Sequence, residues 1–244
     1  MAELKSLPLS DLESLRKYDT PTICNVIELF DIRPRTAGYM DGRIRSCFPE
    51  MPPMVGYATT ATFRSAAPPR SGDVYSGIDQ QVAALAEIPA PQIVVFQDID
   101  DPPVSATFGE VMCSTYKGFG CAGIITSGAG RDLDQVRALG FPAFTGGTIC
   151  SHGYCHTLAI NVPVHVGGVT IFPGDLLHGD CNGVTTIPND FASAIVQACA
   201  EFVTAESVVL DYIKAGKPDP AGYKKARCEL VRRIAELGTR VRKR

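Results

Sequence analysis

The chain has 244 residues, a formal net charge of −3, 45% apolar and 20% charged residues, which is the composition of an ordinary globular protein able to build a sizeable core. That balance gives no reason to expect a nucleic-acid or membrane-surface partner. MAELKSLPLSDLESL lacks the apolar run of a signal peptide and no window reads as a membrane span, so a cytoplasmic protein is expected.

In chain order, LSDLESLRKYDTPTICNVIELF reads as two short helices broken by Pro21, with Asp19 or Thr20 capping the second. Residues 33–57, rich in Pro, Gly and Arg, read as an ordered loop leading to the β-branched strand YATTATFRS at 57–65. DVYSGIDQQVAALAEI, with apolar residues at three- and four-residue steps, predicts a helix. PQIVVFQDID contains a buried-type strand over about 93–97, followed by the loop DDPPVSAT. FGEVMCSTYKGFG predicts a helix from near Gly109 to the Gly118/Gly120 pair, CAGIITS a second buried strand, GAG a turn, and RDLDQVRALG a helix. Strand–helix–strand–helix is a crossover that makes the two strands parallel.

Beyond Phe141 the texture changes to short strands and tight turns; VHVGGVTI and GVTTI alternate as antiparallel strands do. Two helices, about 190–214 and 222–241, are divided by AGKPDPAG. The basic end of the chain spaces Leu230, Ile234, Leu237 and Val241 as a packed amphipathic stripe. The expected organisation is one α/β domain with a mixed sheet over 1–217 and a basic amphipathic helical extension over 218–244. Nine scattered cysteines suit free thiols in a reducing compartment. CSHGYCH (150–156) superficially suggests zinc, but the usual CxxC pairing is absent.

The parallel unit carries the chemistry. Loops leaving parallel strands emerge at the carboxyl edge of the sheet, where ligands bind in open α/β folds. One loop delivers Gly109 and Glu110, the other Arg131 and Asp132, each at a helix start and separated by enough chain for one helix, turn and strand. Two converging carboxylates repel, and a hard cation such as Mg²⁺ or Mn²⁺ removes the conflict. Helix-start amides favour an anion, and arginine offers a planar fork to a carboxylate or oxyanion. Together they suit a 2-oxo acid, chelated through its carboxylate and carbonyl; a phosphate fits less well, because neither a P-loop lysine nor GxGxxG is present. Gly128, Ala129 and Gly130 are expected to give a tight, uncrowded exit from CAGIITS. Taken singly, an Arg-Asp or Gly-Glu opening a helix is an ordinary cap; their placement on successive loops of one parallel unit is what raises them to a candidate site.

These residues resemble the RraA-like family, whose enzyme branch comprises class II 4-hydroxy-4-methyl-2-oxoglutarate / 4-carboxy-4-hydroxy-2-oxoadipate aldolases. The resemblance rests on Gly109-Glu110, the twenty-residue spacing to Arg131-Asp132, GFPAF, and NVPVHVGGVTIFPGDLLHGDCNGVTTIP, and covers roughly 18–217. It implies a compact α/β/α sandwich with a mixed sheet (RraA-like, phosphohistidine-swivelling-type) plus helical ends, assembled as a homotrimer or hexamer with interface active sites. It further implies that Asp132 binds Mg²⁺ or Mn²⁺, that Glu110 holds metal-bound water, and that Arg131 grips the 2-oxo acid and steadies its enolate. The amides of Gly109, Glu110, Val111 and Met112 would receive the carboxylate. Glu206 of a neighbouring copy would complete the water shell.

Relatives often carry a second acid three positions after the aspartate; Gln135 stands there, with Asp134 one position off. His152 or His156 could line the pocket and read the distal end of the substrate. Asp175 and Asp180 read as turn residues, and Lys117 has no assigned role. The expected function is a divalent-metal-dependent lyase that cleaves a 4-hydroxy-2-oxo acid to pyruvate and a carbonyl product, or decarboxylates oxaloacetate. The alternative, also implied by the family, is a non-enzymatic regulator that binds an RNase E-type ribonuclease. A methyltransferase finds no support, since no glycine-rich adenosyl-cofactor loop is present.

Overall fold

A computed structural model of the protein describes residues 6–72 and 77–243. The chain divides into two compact units, one of residues 1–20 and 38–189, the other of 21–37 and 190–244. The expected division at 217/218 falls inside the second unit, in the turn between the last two helices.

The first unit is built on a mixed sheet. Its strands are β1 (Arg45–Ser46), β2 (Met54–Arg64), β3 (Gln92–Asp98), β4 (Ala106–Phe108), β5 (Gly123–Thr126), β6 (Ala129–Gly130), β7 (Ala143–Thr145), β8 (Gly147–Thr148), β9 (His156–Ile160), β10 (Val164–Val166), β11 (Val169–Ile171), β12 (Leu176–Asp180) and β13 (Gly183–Ile187). The main sheet runs β1-β7-β5-β3-β2-β12-β13, with β9 also on β2. Its centre is parallel, β2 with β3, β3 with β5 and β5 with β7, while β1, β9, β12 and β13 pair antiparallel. The expected parallel pair is therefore present, in register from Ile93 opposite Gly123 to Phe96 opposite Thr126.

Period-two alternation sends neighbouring side chains of these strands to opposite faces. Val94, Phe96 and Ile124 enter one core with Phe108, Tyr116, Val136 and Phe141. Ile93, Val95 and Ile125 enter another with Val164, Val166 and Ile171 of the β10–β11 hairpin. Both faces of β3 are thus dry, which is why IVVF reads as a continuous apolar run.

The helices are α1 (Leu9–Leu15), α2 (Thr20–Phe30), α3 (Ile78–Ala84), α4 (Glu110–Gly118), α5 (Leu133–Ala138), α6 (Ala192–Lys214) and α7 (Pro220–Val241). The first helical break falls at 16–19 rather than at Pro21, which sits in the first turn of α2 where its missing N–H leaves no bond unmade. Of the helix expected over 73–88, residues 78–84 are α-helical and 85–87 continue as a 3₁₀ turn; residues 73–76 lie outside those described.

In the second unit α6 packs on α7. Asp219 accepts from the Ala221 and Gly222 amides and Pro220 opens α7, so AGKPDPAG is a stop followed by a capped start. Leu237 and Val241 of the predicted stripe are buried, Leu230 and Ile234 partly so. The expectation that no segment reaches membrane-span length is corrected: Asn189–Lys214 is long and apolar enough by composition. Core helices pass the same test, and this one buries Ile195, Ala198, Cys199, Phe202 and Ala205 at helical spacing, with Glu201 paired to Arg240 of α7.

Candidate active site

Three short parallel strands make the site. β3, β5 and β7 each run on, past their carboxyl ends, into β4, β6 and β8, which form a separate parallel sheet in the order β4-β6-β8. Strands of two or three residues carry no readable period, so β4 falls in the expected loop DDPPVSAT and β6 in the expected turn GAG, while β8 begins at the end of FPAFTGG, within the expected short strands and tight turns. Their pairing aligns the two functional loops: the Arg131 amide donates to Phe108 O at 3.0 Å.

Threonines at the strand ends hold this second layer. Thr126 Oγ1 donates to Thr107 Oγ1 at 3.0 Å and accepts from the Gly128 amide at 2.9 Å; Thr145 Oγ1 donates to Gly128 O at 2.7 Å. The expectation of an uncrowded SGAG exit is corrected. Gly128 and Gly130 are absent from the positive-φ residues, so conformational freedom is not their reason. A Cβ on Gly128 would meet the Thr107 hydroxyl and, at 2.6 Å, Asp98 Oδ2; one on Gly130 would strike the Phe108 ring. They are glycines because the layers touch there.

Arg131 and Asp132 meet through their side chains, whereas Glu110 joins them through its backbone amide and not, as expected, through its carboxylate. Asp132 takes the left-handed conformation, φ 54° and ψ 38°, uncommon for a residue with a side chain though Asp tolerates it. Its carboxylate does not cap its own helix. Oδ2 accepts instead from the Glu110 amide at 3.0 Å, at the start of α4, where the N-cap Gly109 has no side chain to offer. Arg131 Nε lies 3.8 Å from the same oxygen, with both side chains about one-third exposed. Asp132 Oδ1 has no hydrogen-bond partner among the described residues. The Glu110 side chain is exposed.

Beside this group lies a cavity of about 400 Å³, lined by Gly109, Val111, Met112, Arg131 and His152 among others. Five predicted residues thus line it, while Glu110 and Asp132 are not among the lining residues. His156 is not among the lining residues; it is buried at the start of β9, its ring Nδ1 2.7 Å from Tyr154 O. Glu206 lies in α6, in the second unit. Among the described residues no three His, Cys, Asp or Glu side chains gather as a metal-ligand group, in CSHGYCH or elsewhere, and none of the nine cysteines is in a disulfide.

The remaining candidates have structural partners. Asp134 pairs with Arg137 at 3.1 Å, Lys117 near the end of α4 donates to Leu139 O at the carboxyl end of α5, and Asp175 accepts from the Phe172 amide at 2.8 Å as a turn residue does. Asp180 accepts from the amides of Asn182 and Thr20, each at 2.8 Å.

Asp98, at the carboxyl end of β3, was missed because QDID reads as a strand running into a polar turn. It is 8% exposed; Oδ1 accepts from the Asp100 amide at 3.0 Å, while Oδ2 is buried without a partner. Burial pushes its carboxyl up to about 6 from 3.8, with neighbouring Asp100 adding to the rise against the Asp100 amide bond. The folded state therefore holds this proton more tightly than the unfolded chain. Its stabilisation is fully present below about pH 4 and is lost as pH rises through 6, by on the order of 2–3 kcal/mol. Urea unfolding between pH 4.5 and 7 checks this: Asp98→Asn should remove that downward slope, and an unchanged slope would show the carboxyl ionising freely.

A protein of Halalkalibacterium halodurans named "Putative 4-hydroxy-4-methyl-2-oxoglutarate aldolase" is 35% identical over 131 residues, 53% of this chain and 62% of that protein. The chain thus spans less than two thirds of that relative's length. The structure of Streptomyces coelicolor RraAS2, described as an unusual member of the RNase ES inhibitor RraA protein family, superposes with TM-score 0.65 at 26% identity, over 83% of this chain and 97% of that one. An uncharacterized protein from Pseudomonas syringae shares the fold with TM-score 0.74 at 21% identity, over 93% and 97% of the two chains. The RraA-like family pattern, Aldolase/RraA, matches residues 20–186, the span that holds the parallel unit, the short-strand layer β4-β6-β8 and the Arg131–Asp132 turn, and the chain belongs to that family.

Proposed function

We propose that the protein is a class II pyruvate lyase, cleaving a 4-hydroxy-2-oxo acid to pyruvate and a carbonyl compound, or decarboxylating oxaloacetate. The observation that carries this is the Asp132 carboxylate: Oδ2 is fixed by the Glu110 amide and lies 3.8 Å from Nε of Arg131, which itself lines a cavity, while Oδ1 has no partner among the described residues. A helix cap alone needs neither the second oxygen nor the guanidinium.

The donor set fits a hydrated hard cation rather than a dehydrated soft one. Mg²⁺ keeps several waters and is commonly held by one or two carboxylates, whereas a structural zinc needs four protein ligands. Asp132 would hold Mg²⁺ or Mn²⁺ directly and Glu110 through water, with Glu206 of a neighbouring copy contributing through water in a trimer or hexamer. The ion would supply positive charge to the 2-oxo acid's oxygens.

The chain's own groups do the rest. Arg131 and the amides at the start of α4 bind and orient the 2-oxo acid head. The C4 hydroxyl proton leaves through water held by Glu110, the C3–C4 bond breaks, and C4 becomes the carbonyl of the departing product. Its electron pair enters the pyruvate enolate, whose negative oxygen Arg131 steadies, and a proton returned to C3 gives pyruvate. Oxaloacetate would lose CO₂ to the same enolate.

Purified protein with saturating Mg²⁺ or Mn²⁺ is expected to release pyruvate from such acids, and a chelator to stop it. No pyruvate from oxaloacetate or a panel of 4-hydroxy-2-oxo acids, with folded protein and saturating ion, would overturn the reading. Similarity to RraAS2 supports a second one, a regulator that contacts an RNase E-type ribonuclease. A pull-down with that ribonuclease, unaffected by chelator, together with a silent pyruvate assay, would favour it.

A further inference from the structure

The Asp98 side chain is buried against Gly128, and Gly128 is a node of the short-strand layer. The Gly128 amide donates to Thr126 Oγ1 at 2.9 Å, and its carbonyl accepts from Thr145 Oγ1 at 2.7 Å and from the Gly146 amide at 3.0 Å. β6 begins at the next residue, and Arg131 follows it, its amide closing the β4–β6 pairing on Phe108 O. A shift of Gly128 therefore strains or breaks the bonds that place the Arg131–Asp132 turn.

Asp98 Oδ1 accepts from the Asp100 amide, but Oδ2 has no partner, and a Cβ on Gly128 would lie 2.6 Å from it. A neutral carboxyl tolerates a dry oxygen there; a carboxylate requires a donor or water. The residues around Gly128 offer the hydroxyls of Thr107, Thr126 and Thr145 and no titratable group. On the other side a cavity of about 300 Å³ is lined by Asp98, Ser127, Arg43, Asp100, Asp101 and His165 among others. None of these bonds Oδ2. Arg43 is held by Asp41 at 2.7 Å, while Asp100 pairs with Arg64 and accepts from the Ser65 and Ala66 amides.

We propose that Asp98 is a proton-operated latch on the candidate site: with its carboxyl neutral the β4-β6-β8 layer stays closed, and loss of that proton opens the layer at Gly128 and loosens the Arg131–Asp132 turn. The lyase reading gives the latch its purpose, but its working is read without substrate. The closed layer holds the proton up to about pH 6, whereas a solvated carboxyl ionises at about 4. Opening is thus rarest below about pH 4, grows as pH rises to 6, and levels off above it.

Hydrogen exchange of the whole protein, corrected for its intrinsic pH dependence, tests this. The Arg131, Gly146 and Ile149 amides bond within the layer. Their protection should fall by on the order of a hundredfold between pH 4 and 7. At each pH it should lie below that of β3 and β5 and be unmoved by low urea, as a local opening exposes little surface. Asp98→Asn, neutral at every pH, should keep the layer's protection constant. His165→Gln, which removes a titratable ring from the cavity, should leave the wild-type profile.

The wild-type profile decides by itself should Asp98→Asn fold poorly. A flat profile would overturn the latch, as would layer amides that exchange only with the main sheet and share its urea dependence. An Asp98→Asn profile like the wild type, or a His165→Gln profile that is flat, would do the same. A silent pyruvate assay beside the expected profile removes the lyase reading and leaves the latch; pyruvate release beside a flat profile does the reverse.

Discussion

Asp132→Asn is expected to lower kcat/KM for pyruvate release by on the order of 10²–10³-fold while leaving the fold almost untouched. The structure lets the two jobs of this side chain be pulled apart. As a structural group, Asp132 offers Oδ2 to the Glu110 amide, an acceptor role that an asparagine carbonyl oxygen fills equally well. Asparagine also tolerates the left-handed backbone found at φ 54°. As a chemical group, Asp132 offers negative charge and an unpartnered Oδ1, and the amide provides neither. Asp132→Ala should lose both: the same fall in activity, plus about 1–2 kcal/mol of stability from the missing acceptor and the strained backbone. Urea unfolding beside pyruvate release from both variants checks the split. Full activity in the asparagine variant would reduce Asp132 to a helix cap supplied across the sheet.

The sequence held the frame of this site in legible form, because its signals are local. Buried parallel strands show as apolar runs, IVVF and GIIT, and the spacing from Glu110 to Arg131 counts out one crossover. What stayed hidden depends on contacts between distant residues. β4, β6 and β8 are too short to have a period and exist because each finds its neighbour at the carboxyl edge. Gly128 and Gly130 read as turn residues, since a glycine required by a neighbour's side chain looks the same in one dimension as a glycine required by φ. Asp98 reads as the polar end of a strand, yet it is buried against Gly128. His152 and His156 are alike in sequence, and only the start of β9 assigns one to the core and the other to the cavity wall. The second unit draws together residues 21–37 and 190–244, a pairing no local pattern announces.

Gly109→Ala should be nearly as damaging as loss of the carboxylate, through position rather than chemistry. Gly109 has extended backbone angles, φ −152° and ψ −166°, which any residue adopts, so strain is not at issue. Space is. A Cβ built there would lie 2.5 Å from Asp132 Oδ2, 3.1 Å from Arg131 Nε and 3.2 Å from Arg131 Cγ. The methyl must displace both proposed functional side chains at once, and the short β4–β6 pairing beneath them leaves the backbone little room to yield. A displacement near 1 Å at reacting groups costs on the order of a hundredfold in rate. Overpacking should cost about 1–3 kcal/mol in stability, at the lower end here because Arg131 and Asp132 are partly exposed and can swing outward. Since the two substitutions act on one arrangement, Gly109→Ala combined with Asp132→Asn should fall little below Asp132→Asn alone in kcat/KM. Multiplying penalties would instead mean that Gly109 serves the reaction by a separate route, such as its own amide on the substrate's carboxylate.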